Sequence, residues 1–228
     1  MSGTVTPQLE TYYAKRAREY ERIYDKAERQ DELAWLRERL PRLFAGRRVL
    51  EIACGTGYWT QFIAKKAAHV TACDINEPVL EIAREKPVAR GRVRFLKADA
   101  FALDGVPSGC DAAFAGFWWS HVRRADLGRW IAGLARVLAP GATVAILDNR
   151  YVGGSSTPVS RRDAEGNTYQ VRPLLSGDTH EVLKNFPAAA ELAEAVRPFA
   201  AEAHLEETQY YWLLVFRLAG PRNEPESP

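Results

Sequence analysis

Residues 48–60 read Arg48-Val49-Leu50-Glu51-Ile52-Ala53-Cys54-Gly55-Thr56-Gly57-Tyr58-Trp59-Thr60, and this stretch decides the fold. The apolar run over residues 49–53, broken only by Glu51, predicts a short buried strand over residues 48–53. Cys54-Gly55-Thr56-Gly57 predicts a tight turn, and residues 58–67 predict a helix that starts at the turn. Glycine lets a backbone bend where a side chain forbids it and lets a ligand approach the main chain. The helix start adds unpaired N–H donors. A dinucleotide-binding turn places a third small residue after the two glycines, and here Tyr58, Trp59 and Thr60 follow instead. The Gly-Lys-Ser/Thr of a phosphate-binding loop is absent. A strand and turn that bind nothing is the simpler alternative, and residues further along the chain argue against it.

Composition bounds the rest. The chain has 228 residues, 46% hydrophobic and 26% charged, with a formal net charge of +2. This suits one globular domain, expected over residues 1–220. Arg47–Arg48, Arg123–Arg124 and Arg161–Arg162 are isolated pairs rather than a run that tracks a phosphate backbone, so no nucleic-acid partner is expected. Cys54, Cys73 and Cys110 form no Cys-x-x-Cys pair, and the four histidines are scattered, so neither a disulfide framework nor a metal site is expected. The first residues lack a signal pattern and no apolar run is long enough to span a bilayer, which suggests a cytoplasmic protein without a membrane partner.

Residues 7–29 predict a helix with Tyr13, Ala17, Tyr20 and Tyr24 on one stripe. The stripe suits either core packing or a lid with polar tips. A second helix is expected over residues 31–40, stopped by Pro41. Strand two, residues 69–74, ends on Asp74, at the distance past the glycines where doubly wound folds hold a ribose diol. Asn76 and Pro78 open the next helix. Strand three, residues 92–99, ends in Asp99–Ala100. Strand four, residues 110–117, ends in Phe117, followed by Trp118, Trp119, Ser120 and His121. A helix over residues 126–138 and an Ala139-Pro140-Gly141 turn lead to strand five, residues 142–147, with Asp148 and Tyr151 at the same edge. Residues 152–186 break the alternation. They read as an insert with a hairpin of residues 159–162 and 168–172, closing an acceptor site or serving as a surface or dimer arm. A helix over 187–196 and antiparallel strands over 202–208 and 210–218 follow. Residues 221–228 read as a disordered tail.

Val49-Leu50-Glu51-Ile52-Ala53-Cys54-Gly55-Thr56-Gly57 resembles the first motif of class I S-adenosylmethionine-dependent methyltransferases, with Ala53 where many members carry glycine. The likeness extends over residues 12–218. It implies an α/β, three-layer Rossmann-like sandwich with a seven-stranded, mostly parallel sheet and an antiparallel last strand. It also implies S-adenosyl-L-methionine as cofactor, with Glu51, Ala53, Gly55 and Gly57 near its methionine and sugar, Asp74 on the ribose, and Ile75, Asp99 and Ala100 around the adenine. Tyr12–Tyr13, Arg16–Ala17 and Tyr20 match an N-terminal segment that covers the cofactor in similar enzymes, so residues 7–45 form a helical lid. Phe117 and the residues after it are expected to face the cofactor's methyl group, and Trp118, Trp119 and Tyr20 are the candidates for aromatic faces on the sulfonium, where such rings are favourable. Trp118, Trp119, Tyr24, Asp148 and Tyr151 are expected around a small, aromatic or heteroaromatic acceptor. His121 is the candidate general base, since its reference pKa suits proton removal near neutrality. The acceptor atom is open among O, N and C, and the oligomeric state between monomer and homodimer. A non-catalytic cofactor-binding protein and an NAD-dependent oxidoreductase are the alternatives.

Overall fold

Strands run outward from the middle of one sheet and then restart beside the first. In the computed structural model, which describes residues 7–89 and 91–220, β1 (Arg48–Ile52), β2 (His69–Asp74), β3 (Val93–Lys97), β4 (Cys110–Gly116) and β5 (Leu138–Asn149) are parallel. β10 (Tyr211–Leu218) enters antiparallel between β5 and β9 (Ala200–Glu207). The order is β3-β2-β1-β4-β5-β10-β9, so the last strand of the chain is the antiparallel one, as expected from the sequence. The expected tail lies outside the described residues.

The period-two alternation of the strands divides the core between two faces. Leu50, Ile52, Ala113, Val144, Ile146 and Trp212 point to one face. There α5 (Leu127–Val137) supplies Trp130 and Leu134, and α6 (Ala189–Val196) supplies Leu192 and Val196. Val49, Val70, Phe114, Ala145 and Leu147 point to the other. There α2 (Gln30–Leu43), α3 (Thr60–Ile63) and α4 (Glu77–Arg84) supply Leu36, Ile63 and Leu80. Cys54, Cys73 and Cys110 are free thiols buried as small hydrophobes.

Several local expectations need correction. The helix expected over residues 7–29 is α1 (Pro7–Arg16) followed by 3-10 turns at Ala17–Tyr24 and Ala27–Arg29. The tighter winding has poorer hydrogen bonds, and burial of Ala17, Tyr24 and Arg29 against the sheet edge offsets this. Pro41 does not end α2, which runs on to Leu43. It falls in the last turn, where only its own N–H is lost, and Leu40, Pro41 and Phe44 are buried. Ala139-Pro140-Gly141 belongs to β5 rather than to a turn. The register shifts opposite Cys110 and Ala112, and Gly141 takes φ 72°, which makes a bulge that tolerates proline. The insert has three strands, β6 (Arg161–Arg162), β7 (Thr168–Pro173) and β8 (Thr179–Leu183), rather than a lone hairpin.

Candidate active site

The chain leaves β1 toward β2 and β3 and later returns to β4 beside β1. Loops therefore diverge at the carboxyl ends of β1 and β4, where open α/β sheets bind ligands. Both strand ends take the left-handed conformation at a non-glycine residue, Ala53 with φ 51° and Phe117 with φ 59°. Such backbone costs roughly 1–3 kcal/mol per residue and is concentrated at functional sites. It explains why the Ala53 position suits glycine.

The glycine turn is braced from β2. Asp74 accepts the Gly55 N–H at 2.9 Å with one carboxylate oxygen and the Asn76 N–H at 2.9 Å with the other. Burial pushes the Asp74 carboxyl up, opposed by these backbone donors. Gly55 has φ 54° and only a Tyr20 ring carbon near its missing side chain, at 3.8 Å. Gly57 faces helix α4 instead of the cleft: a Cβ there would lie 3.0 Å from the Ala83 Cβ and 3.2 Å from its Cα, at φ 74°. Gly57→Ala is therefore expected to cost about 2 kcal/mol from left-handed strain and contact. Urea unfolding measures this, and an unchanged midpoint would contradict the packing role.

A cleft of about 620 Å³ opens at this point. Ala53 and Gly55, Asp74 to Asn76 with Val79, Ala98 and Ala100, and Gly116 to Trp118 with His121 line it from the sheet. Leu9, Glu10, Tyr13 and Tyr20 line it from the N-terminal segment. A second cleft of about 1080 Å³ shares Tyr13, Tyr20, Phe117 and His121 with the first. Tyr24, Phe186 and Tyr211 add aromatic wall to it, and Arg16, Arg22, Lys26, Arg29, Arg172 and Lys184 add positive charge.

His121 stands where the clefts meet. Its Nδ1 lies 2.6 Å from the Leu183 carbonyl oxygen, which requires Nδ1–H to donate. Its Nε2 then accepts from the Tyr13 hydroxyl at 2.7 Å. Burial, then the charges of Lys184 and Arg172, holds the imidazole well below its usual pKa and so neutral. Burial raises the Tyr13 hydroxyl to about 12.

Of the residues singled out from sequence, Tyr20, Ala53, Gly55, Asp74, Ile75, Ala100, Phe117, Trp118 and His121 meet around the first cleft. Others do not. Asp99 closes its own turn, accepting the N–H groups of Phe101 at 2.7 Å and Ala102 at 3.3 Å, while its neighbours Ala98 and Ala100 face the cleft. Trp119 is core, edge-on to Trp130 and Trp212 at 6.0 Å, because the 3-10 turn Trp119–His121 sends it inward. Tyr151 is 47% exposed against Phe186. Tyr24 lines the second cleft and not the first, stacked on Tyr58 at 3.6 Å. Asp148 is fully buried and paired with Lys184 at 2.8 Å. It also accepts the Ser120 N–H at 3.0 Å. Glu51 lies beneath the turn, and one of its oxygens has no hydrogen-bond partner among the described residues. Burial pushes its carboxyl to about 8, with the nearby Thr60 hydroxyl offsetting a little without a well-formed hydrogen bond. Sequence reading missed Arg29, Arg172 and Lys184. Their positions carry no local motif, and only the Arg16 match and the reading of residues 152–186 as an insert pointed into this region.

The chain resembles known proteins in the same sense. A family described as a methyltransferase domain matches residues 49–141. The demethylmenaquinone methyltransferase of Thermus thermophilus is 35% identical over 170 residues, covering 71% of this chain and 71% of that protein. The O-methyltransferase rstn1 of Aspergillus nomiae is 32% identical over 172 residues, covering 70% of this chain and 75% of that one. DhpI, solved in complex with SAH, superposes with a TM-score of 0.74 at 27% identity over 97% of this chain and 100% of its own. With its motif-bearing turn at the switch point of a seven-stranded sheet, this chain belongs to the S-adenosylmethionine-dependent methyltransferases, enzymes that act on small molecules with that cofactor.

Proposed function

We propose that the first cleft takes the adenosyl part of the cofactor and the second takes the acceptor, with the methyl group crossing between Tyr20, Phe117 and His121. The observation that carries this reading is the wall shared by the two clefts. The cleft residues suit the cofactor: Asp74 has lone pairs left for a diol, Ile75, Val79, Ala98 and Ala100 offer apolar faces for a purine, and Ala53 and Gly55 leave room at the main chain. S-adenosylmethionine supplies an activated methyl group, so the chain's task is alignment and exclusion of water. Tyr13 and Tyr20 cover the junction from the N-terminal lid, and Tyr20 and Phe117 offer ring faces to a sulfonium. The aromatic wall of the second cleft suits a planar portion of the acceptor.

Two measurements test the assignment. Asp74→Ala removes a charge-assisted acceptor and the brace on Gly55, so cofactor affinity by calorimetry should fall about tenfold to a hundredfold. Unchanged affinity would remove Asp74 from the site. His121 has both nitrogens engaged, which supports a role in positioning Tyr13 rather than proton removal. A general base contributes about 10²–10⁴-fold, whereas His121→Ala and Tyr13→Phe should each lower kcat/KM by only about tenfold and leave the shape of the pH profile unchanged. Loss of the acid limb in His121→Ala alone would restore the base assignment.

A further inference from the structure

The second cleft has a charge imbalance that an aromatic acceptor does not use. Six cations line it and no carboxylate does. Lys184 is paired with Asp148, and Arg22 sits exposed at the rim. The other four form no ion pair among the described residues, and each gives its hydrogen bonds to neutral oxygens. Arg16 donates to the Tyr12 hydroxyl, and Arg172 to the Gln170 side-chain carbonyl at 2.7 Å. Lys26 donates to the Ser155 carbonyl. Arg29 donates to the Asn149 side-chain oxygen at 3.0 Å and the Ser155 hydroxyl at 2.9 Å. Glu28 accepts from the Ser155 hydroxyl at 2.8 Å and attracts Lys26 and Arg29 from outside the cleft without an ion pair to either. Arg29 is only 6% exposed and has no direct ion pair among the described residues, so an anion that joins it there is favoured. Neighbouring cations on the same segment are treated differently: Lys15 pairs with Asp178.

The cluster adjoins the proposed transfer point. The Arg16 guanidinium carbon is 5.8 Å from the centre of the Tyr20 ring, and Tyr20 belongs to both clefts. No proton acceptor is free there, since Asp148 is held by Lys184 and His121 by Tyr13 and Leu183.

Building on the functional reading above, we propose that the acceptor is a small dianionic organic oxyacid, a phosphonate, phosphate monoester or dicarboxylate, methylated on an ionised oxygen. The oxygen lone pair forms the O–CH3 bond as the C–S bond breaks, and that electron pair stays on sulfur. The acceptor loses one negative charge and no proton moves. Arg16, Lys26, Arg29 and Arg172 hold the oxyacid, and the product is a methyl ester.

The test uses the full chain saturated with S-adenosylhomocysteine, whose own binding is measured first by calorimetry. Phenylphosphonate, glutarate and neutral catechol are then titrated, and each is incubated separately with isotopically labelled S-adenosylmethionine. Binding of phenylphosphonate or glutarate, with a labelled methyl ester as product, is expected, and the arm that responds identifies the oxyacid. Arg29→Gln and Arg172→Gln should each weaken that binding about tenfold or more, the worth of one charge-assisted hydrogen bond, while S-adenosylhomocysteine affinity stays unchanged. If a variant does not fold, the parent chain still reports, because oxyacid binding must weaken with added salt. Normal S-adenosylhomocysteine binding with catechol labelled and neither oxyacid bound would overturn this inference alone. Failure of S-adenosylhomocysteine to bind would overturn the functional reading beneath it as well.

Discussion

Stability is expected to fall as the pH rises toward 8, and Glu51→Gln is expected to abolish most of that fall. Burial raises the Glu51 carboxyl from 4.5 to about 8, so between those values the folded chain holds a proton that the unfolded chain releases. Stability declines with pH wherever the native state binds more protons. At about 1.36 kcal/mol per pH unit, the full window represents a loss on the order of 4–5 kcal/mol, complete above the folded pKa. His121 acts in the opposite sense. Its depressed pKa costs stability as pH falls below its reference value of 6.5, so the interval from 6.5 to 8 reports Glu51 most directly. Glutamine keeps the shape and cannot ionise. The variant should show a flatter profile and exceed the parent above pH 8, while losing about 1–3 kcal/mol at pH 5 where its extra amide protons lack partners. Urea unfolding at pH 5, 6.5 and 8.5 gives the comparison, and parallel profiles for the two proteins would refute the assignment.

Lys184→Met is expected to cost about 3–5 kcal/mol, because removing one partner of a buried ion pair strands the other. Lys184 and Asp148 are 4% and 0% exposed and 2.8 Å apart. Lys184 also donates to the Ser120 hydroxyl at 2.5 Å. The pair ties the residue just after β8 to the carboxyl end of β5, and so fixes the insert over the second cleft. Burial would raise the Asp148 carboxyl, but Lys184 and the Ser120 N–H hold it below its usual range. In the parent this contribution is present above the unfolded pKa near 3.8 and lost as pH falls through the folded one. Without Lys184 the sign reverses, since the carboxyl is then buried without a cation and favours its protonated form. The variant should therefore regain stability toward pH 4–5, and Lys184→Met with Asp148→Asn should recover much of the loss at pH 7. A loss at pH 7 below about 1 kcal/mol would show that the pair does not clamp the insert.

Sequence by itself determined the frame. Residues 48–60 announce a strand, a glycine bend and a helix, and Asp74 closes the next strand at the required distance. These signals are local: side-chain periodicity, backbone freedom at glycine and the reach of a carboxylate act over a few residues. Spacing marked Asp74, and the resemblance to class I methyltransferases marked Tyr20, Ile75, Ala100 and Phe117; all five meet at one cleft. What only the tertiary structure decided depends on where distant segments come together. Trp119 turns into the core while Trp118 faces the cleft, because the turn that follows β4 rotates one neighbour against Trp130 and Trp212. Gly57 serves helix packing, since Ala83 arrives from a later helix. Arg16 and Arg29 come from the N-terminal segment, and Arg172 and Lys184 from the insert. Scattered along the chain they read as ordinary solvated charges. The ordering of the insert against residue 148 gathers them around one cavity, and the field they share there exists in no single stretch of sequence.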